Sequence, residues 1–340
     1  MRLIPVTVII LAVVLLVGQT TSAADVVNIY SARNEALIKP LLDRYAERTG
    51  VEINLVTGSA DALIKRLELE GINSPADLLL TVDVGRLFRA KSAGLLRAVS
   101  SDILDQNVPE IYRDSAGYWV ALSLRSRVII YAPDRVDESE LSSYQALAQP
   151  KWRGRVCIRS SSNIYNQSLI AAMIAHDGRE ATETWVRGLV NNMARPPAGG
   201  DRDQIKAIVA GQCDVAVINH YYLAGMLTSG LAQDRETAEQ VRLFWPDQEG
   251  RGAHINASGA GVTRAAKNVE AAIALLEFLV SPEAQSWYAD TNNEYPVRGD
   301  VDNSELQKRW GDFKADQLAL EQLGVFNAEA VRLMDRAGWK

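Results

Sequence analysis

From Val26 onward, short apolar runs rich in β-branched residues alternate with segments whose apolar residues recur at helical spacing. This alternation constrains the fold more than any other feature, because strand and helix units joined by short turns build parallel sheets covered by helices on both faces. Residues 26–30 read as a strand, and Leu37, Ile38, Leu41, Leu42 and Tyr45 share one helical face that Gly50 closes. Residues 51–57 form the next strand. Gly58-Ser59 then turns into a helix carrying Ala60, Leu63, Ile64 and Leu67, with Ser59 as its cap. Residues 77–82 return as a strand and 84–93 as a helix. Further on, 128–131, 156–158 and 215–218 read as strands, and 167–174, 182–190 and 205–210 as helices. No repeat, low-complexity tract or long linker interrupts the pattern. Strands, rather than a floppy tether, are therefore expected to join the parts of the molecule, which is how hinged clamshells are built.

Residues 1–24 hold one charged side chain, Arg2, then an apolar run from 3 to 17 and a small-residue close, Ser22-Ala23-Ala24. This is the pattern of a cleavable secretory signal, with a run too short to span a bilayer. No Cys stands near the cleavage region to accept a lipid, so a freely soluble periplasmic protein is expected. About 315 residues then remain, more than one comfortable core, and two lobes are expected. The chain has 36 Lys and Arg against 42 Asp and Glu, a formal net charge of −6. Without a basic footprint interleaved with aromatics, nucleic acid is excluded as a partner. Cys157 and Cys213, the two cysteines, read in an exported chain either as a disulfide or as two buried thiols.

The adjacent pair Tyr221-Tyr222, in the run NHYYLAG, carries the most chemistry. A phenolate is a hard anionic oxygen donor, and a hard trivalent cation both prefers it and lowers the phenol pKa from its free value near 10. Neighbouring side chains on a helix point about 100° apart, so two can share one ion only at a turn or a helix start. Strand 215–218, Asn219 as a cap and a helix opening at 223–227 supply such a start. The competing reading places one Tyr in the core and the other at an interface.

Several segments resemble those of the bacterial periplasmic ferric-ion-binding proteins that feed ABC importers: NIYSARNEALIKPLLDRY (28–45), the stretch 55–90, SLRSRVIIY (123–131), WRGRVCIRSSSNIYNQSLIAAMI (152–174), GQCDVAVINHYYLAG (211–225) and NNEYPV (292–297). The closing helix 271–280 with SPEAQSWYA is shared more widely among exported solute-binding proteins. The resemblance implies a type II periplasmic-binding-protein clamshell, an α/β fold in which each lobe is a mixed sheet flanked by helices and the ligand sits in the cleft. Residues 25–125 with 251–300 would form lobe 1, and 126–250 with 301–340 lobe 2. It further implies that Tyr165, Tyr221 and Tyr222 hold Fe³⁺ as three phenolates, which cancel the charge of the ion. The implied partner is an inner-membrane ABC permease, and the implied state a monomer in the periplasm.

The chain departs from part of that family in the first strand-helix turn, where relatives place His or Tyr and this chain has Asn34 and Glu35. Glu35 is either a fourth ligand or a first-turn acid favoured by the helix dipole. Open coordination positions would be filled by an exogenous oxyanion or water, and the resemblance implies carbonate or a similar anion held by Arg125, whose planar fork suits bidentate binding, unless Arg125 only pairs with an acid. Arg127 reads as a surface or hinge residue. Ser59, with Gly58 at a helix start, is a weaker anion contact. Arg33 and Tyr30 are candidate supports near the cleft mouth, and His220 a neighbour of the pair. His176 and His254 form no zinc pattern. No hydrolase, P-loop or dinucleotide motif appears with its required context, so capture rather than catalysis is expected. The alternative is a clamshell for thiamine, a polyamine or an oxyanion.

Overall fold

The computed structural model describes residues 25–340, so the expected leader 1–24 lies outside it. The first βα units are β1 (Val26–Ser31), α1 (Lys39–Thr49), β2 (Glu52–Thr57), α2 (Ala60–Glu70), β3 (Leu78–Thr81), α3 (Val84–Ser92) and the short α4 (Asp102–Asn107). There follow β4 (Val120–Tyr131), β5 (Val156–Cys157), α5 (Ile164–Asn192), α6 (Asp201–Val209), β6 (Val215–Asn219), α7 (His220–Leu227), α8 (Ala232–Ala238) and β7 (Arg242–Phe244). The chain ends with β8 (Ile255–Val262), α9 (Val269–Leu279), α10 (Pro282–Asn292), α11 (Glu305–Arg309), α12 (Glu321–Val325) and α13 (Asn327–Arg336). The expected helices 167–174 and 182–190 are the two halves of α5, separated by Gly178 at φ 79°.

The strands lie in the order β2-β1-β3-β8-β4-β6-β5, with β7 beside β4. Pairs β1–β2, β1–β3 and β5–β6 are parallel, as the alternation predicts. The β3–β8, β8–β4, β4–β6 and β4–β7 pairs are antiparallel. The difference has a topological cause: β4 carries the chain from the first lobe into the second and β8 brings it back, so the two must run in opposite directions. Strand β4 pairs with β8 over its first half, up to Ser126 with Ile255, and with β6 from Arg127 with Asn219 onward.

Strand β8, with the sequence INASGAGV, was not legible as a strand. Its glycines are required by close approach. A Cβ on Gly259 would lie 2.6 Å from the Val120 carbonyl oxygen, and one on Gly261 2.5 Å from that of Tyr118.

In the first lobe, Tyr30 and Leu79 of the sheet pack against Leu63, Ile64 and Leu67 of α2. In the second, Ile129, Val215 and Val217 meet Leu169, Ile170 and Trp185 of α5, with Leu333 and Met334 of α13 completing the layer. Helix α12 packs on both α3 and α5, so the C-terminal segment touches both lobes. Lys91 of α3 pairs with Glu321 of α12 at 2.7 Å, and Trp339 donates to the Arg159 carbonyl at 2.9 Å. A Cβ on Gly324 would stand 2.2 Å from the Phe88 ring. Gly324→Ala is therefore expected to cost about 1–3 kcal/mol through overpacking, read as a lower urea midpoint at unchanged slope.

Cys157 and Cys213 are bridged, with Cα atoms 5.8 Å apart across 56 residues. Among the described residues no helix is long and apolar enough to cross a membrane.

Two buried histidines set a pH dependence. His220 donates from Nε2 to the Asn293 carbonyl at 2.8 Å, while Nδ1 accepts from the Ser126 amide at 3.2 Å. Burial holds its pKa down to about 4, and that of His254 down to about 3. Both take up a proton readily only when unfolded, so the native state binds fewer protons between about pH 6.5 and 4 and stability falls as pH falls through that window. These two groups contribute a fall in unfolding free energy between about pH 6 and 5, which the buried acids Asp83, Asp201 and Asp247, held above their usual range by burial, partly offset. Denaturant melts of His254→Asn that kept the wild-type pH dependence would count against the histidine contribution.

Candidate metal centre

Strand β6 ends at Asn219 and α7 begins at once, which puts Tyr221 and Tyr222 in its first turn. Their rings lie 4.5 Å apart, centroid to centroid, tilted by 36°. Asn219 occupies the cap position but makes no cap bond there. Its Nδ2 donates instead to the Tyr221 phenol oxygen at 3.2 Å. Tyr165 stands in the first turn of α5, where Asn163 caps the helix by accepting from its amide at 3.1 Å. Two helix starts thus converge, and the Tyr221 and Tyr165 oxygens lie 3.4 Å apart. Small octahedral cations hold oxygens at about 2.0–2.1 Å, so neighbouring ligands sit about 3 Å from one another. The observed spacing is close to that of two ligands on one ion.

The three tyrosines are half-buried and line a cleft of about 620 Å³ with Arg33, Asn34, Arg125, Arg202, Asn293 and Glu294. Burial, and then the charge of Tyr165, push both the Tyr221 and the Tyr222 phenols up, with Tyr222 adding to the rise at Tyr221 and Asp201 to that at Tyr222.

Arg125 is buried with its guanidinium 6.0 Å from the Tyr165 ring and 5.9 Å from the Tyr221 ring. Its Nη1 donates to the Val82 carbonyl and its Nη2 to Ser258 Oγ, which leaves Nε without a partner among the described residues. It therefore gives the cleft positive charge, but its fork is already committed in this arrangement. Arg33, whose side chain donates to Ser258 at 2.9 Å, also grips the Glu294 carboxylate. Glu294 also accepts from Ser123 at 2.6 Å and stands 4.0 Å from Arg125. Burial raises its pKa, but Arg33 and Arg125 outweigh that and hold it below the usual carboxylate range. Sequence reasoning did not single out Glu294. The NNEYPV segment held it, yet only the fold shows that the left-handed Asn293, at φ 54°, turns this acid into the cleft wall.

Other expectations resolve differently. Glu35 is exposed in the turn Glu35–Leu37 and does not line the cleft; its neighbour Asn34 does, and caps that turn with a 3.1 Å bond from Ala36. Ser59 is exposed and spends its hydroxyl on the Ala62 amide at 3.3 Å, while the Gly58 amide is taken by the Ser31 carbonyl. Asn34 and Ser59 are the caps of their turns, and Glu35 makes no cap bond of its own. Tyr30 bonds Glu70 at 2.9 Å under Arg66, away from the cleft. Arg127 is fully buried rather than a surface residue. His176 pairs with Asp316, and no cluster of three His, Cys, Asp or Glu among the described residues is disposed to hold a metal ion.

The model for bacterial extracellular solute-binding proteins matches residues 73–313, more than half the chain. Over 324 residues the chain is 44% identical to iron uptake protein A1 of Synechocystis sp., covering 95% of this chain and 90% of that protein. It is 30% identical over 325 residues to the Fe(3+)-binding periplasmic protein of Serratia marcescens, covering 94% and 93% respectively. A Trichodesmium protein solved in complex with iron and citrate ligands shares 47% identity at a TM-score of 0.90, over 93% of this chain and 100% of that one. A lobe-crossing antiparallel strand pair, a cleft between two mixed sheets and full-length similarity to these relatives agree, and the chain belongs to the bacterial extracellular solute-binding protein family.

Proposed function

We propose that the protein captures ferric iron in the periplasm and delivers it to an inner-membrane ABC importer. The observation that carries this reading is the convergence of the Tyr165, Tyr221 and Tyr222 phenols from two helix starts into one cleft. The relatives named for iron uptake and ferric binding support the choice of ion. Lobe 1, residues 25–125 with 251–300, closes over lobe 2, residues 126–250 with 301–340, by twisting at the crossing strands. Three phenolates offset the charge of Fe³⁺, so the ion is held in a partly desolvated site without net charge. The cleft is lined by Arg33, Arg125 and Arg202 and by one acid, Glu294, an excess of positive charge. That excess draws an exogenous oxyanion, carbonate or a citrate-like carboxylate, onto the remaining face of the ion. The protein acts by capture and release as a monomer, not by catalysis.

Titration with a chelated ferric salt in the presence of carbonate should produce a saturable one-to-one phenolate-to-iron absorption band in the visible. Folded protein that stays colourless would overturn the reading. Arg125→Ala should lower ferric affinity by about 10–100-fold, the range for groups that support a metal shell, and by an amount that changes with carbonate concentration. A loss of equal size at every carbonate level would remove Arg125 from the anion site.

A further inference from the structure

We propose that Arg127 is the positioning residue that sets the separation of the two tyrosine-bearing segments, and so makes one cation site of them. This rests on the ferric reading above. Arg127 lies on β4 at the point where the strand changes partner from β8 to β6. Its guanidinium is buried and reaches both segments at once. Nη1 donates to Asn219 Oδ1 at 3.1 Å, and Nη2 donates to Asn166 Oδ1 at 2.8 Å and to the Val217 carbonyl at 3.0 Å. Asn166 follows Tyr165 directly. Its own amide donates to the Arg159 and Ser160 carbonyls at 2.9 and 3.1 Å, so the start of α5 is locked to the loop before it. Asn219 passes the constraint on, since its Nδ2 reaches the Tyr221 phenol oxygen. The chain of bonds thus runs from the Tyr165 segment through one planar group to the hydroxyl of Tyr221.

Arg is the side chain suited to this task, because its rigid fork holds two amide oxygens in fixed directions where a Lys ammonium offers a rotating point charge. Asp201, itself buried, balances the charge at 3.8 Å and shares it with Arg159 at 3.4 Å. Arg127 touches no phenol oxygen and is not a ligand. Its effect is on where the ligands stand.

The test is ferric titration of Arg127→Lys, which keeps the charge beside Asp201 and removes the fork. Wild-type protein is titrated first, and a colourless wild type would remove the ferric reading before Arg127 is judged. Given a coloured wild type, the expected result for folded Arg127→Lys is a 10–100-fold weaker affinity with a charge-transfer band shifted in wavelength and reduced in intensity. A residue of merely structural importance would lower the melting temperature and leave the band where it was. Native affinity with an unshifted band overturns the proposal. Should Arg127→Lys not fold, Asn166→Ala and Asn219→Ala each cut one arm of the fork's contacts, and unshifted bands in both overturn it equally.

Discussion

Tyr221→Phe and Tyr222→Phe should each lower ferric affinity by more than 100-fold while leaving the protein folded. The fold is expected to survive because the phenyl rings keep their 4.5 Å contact and only one oxygen is removed. The swap conserves ring volume, and both side chains are half-buried in the cleft wall rather than in either lobe's core. The affinity is expected to collapse because each phenolate is both a bond and a charge. Groups that merely support a metal shell cost about 10–100-fold when removed, so a ligand should exceed that range. Tyr221→Phe carries a further penalty, since Asn219 Nδ2 loses its acceptor and the link to Tyr165 at 3.4 Å is broken. Equilibrium competition against a chelator of known strength, with the visible band as readout, measures the effect. Near-native affinity in both variants would sink the assignment of the site.

The second large effect concerns the Cys157–Cys213 bridge. Closing 56 residues by a cross-link removes chain entropy from the unfolded state worth about 4 kcal/mol on the loop-closure model. Cys157→Ala with Cys213→Ala should therefore lower the unfolding free energy by about 2–4 kcal/mol. The bridge staples the end of β5 to the turn before β6, and those strands lead into Tyr165 and Tyr221 respectively. The double variant is accordingly expected to bind iron more weakly even under conditions where it is fully folded. Urea melts with and without reductant measure the first effect. A midpoint that reductant does not move in the wild-type protein would show that the bridge contributes nothing.

Much of this was legible in the chain because local and tertiary signals agreed. The βα units of the first lobe follow from helical spacing closed by Gly50 and from strands bounded by turn residues, and residue type alone singled out the tyrosine pair that the fold places in the cleft wall. Strand β8 was hidden because two of its residues are glycines selected by contact with Val120 and Tyr118, not by strand propensity. The first half of β4 was hidden for a related reason. Ser123 and Arg125 interrupt the apolar run that marks a buried strand, and partners distant in sequence, Glu294 and Ser258, are what satisfy them when buried. Ser59 shows the opposite case, in which a short-range cap on the Ala62 amide occupies the side chain, while Glu35 sits in the first turn of a short helix that Asn34 caps.

The two crossing strands have a further consequence for how the molecule can be divided. Because β8 completes the first sheet, and α13 returns from the end of the chain to pack on α5 of the second lobe, neither lobe is encoded by one uninterrupted stretch of gene. A chain truncated before Ile255 would leave β3, and the first half of β4, with bare edges whose unpaired amides and carbonyls invite other chains. Half-proteins cut at the cleft are thus expected to aggregate rather than to fold as separate lobes. Any attempt to exchange one jaw for that of a relative has to splice near Arg127, near Ile255 and again where the chain passes back to α13 in the second lobe.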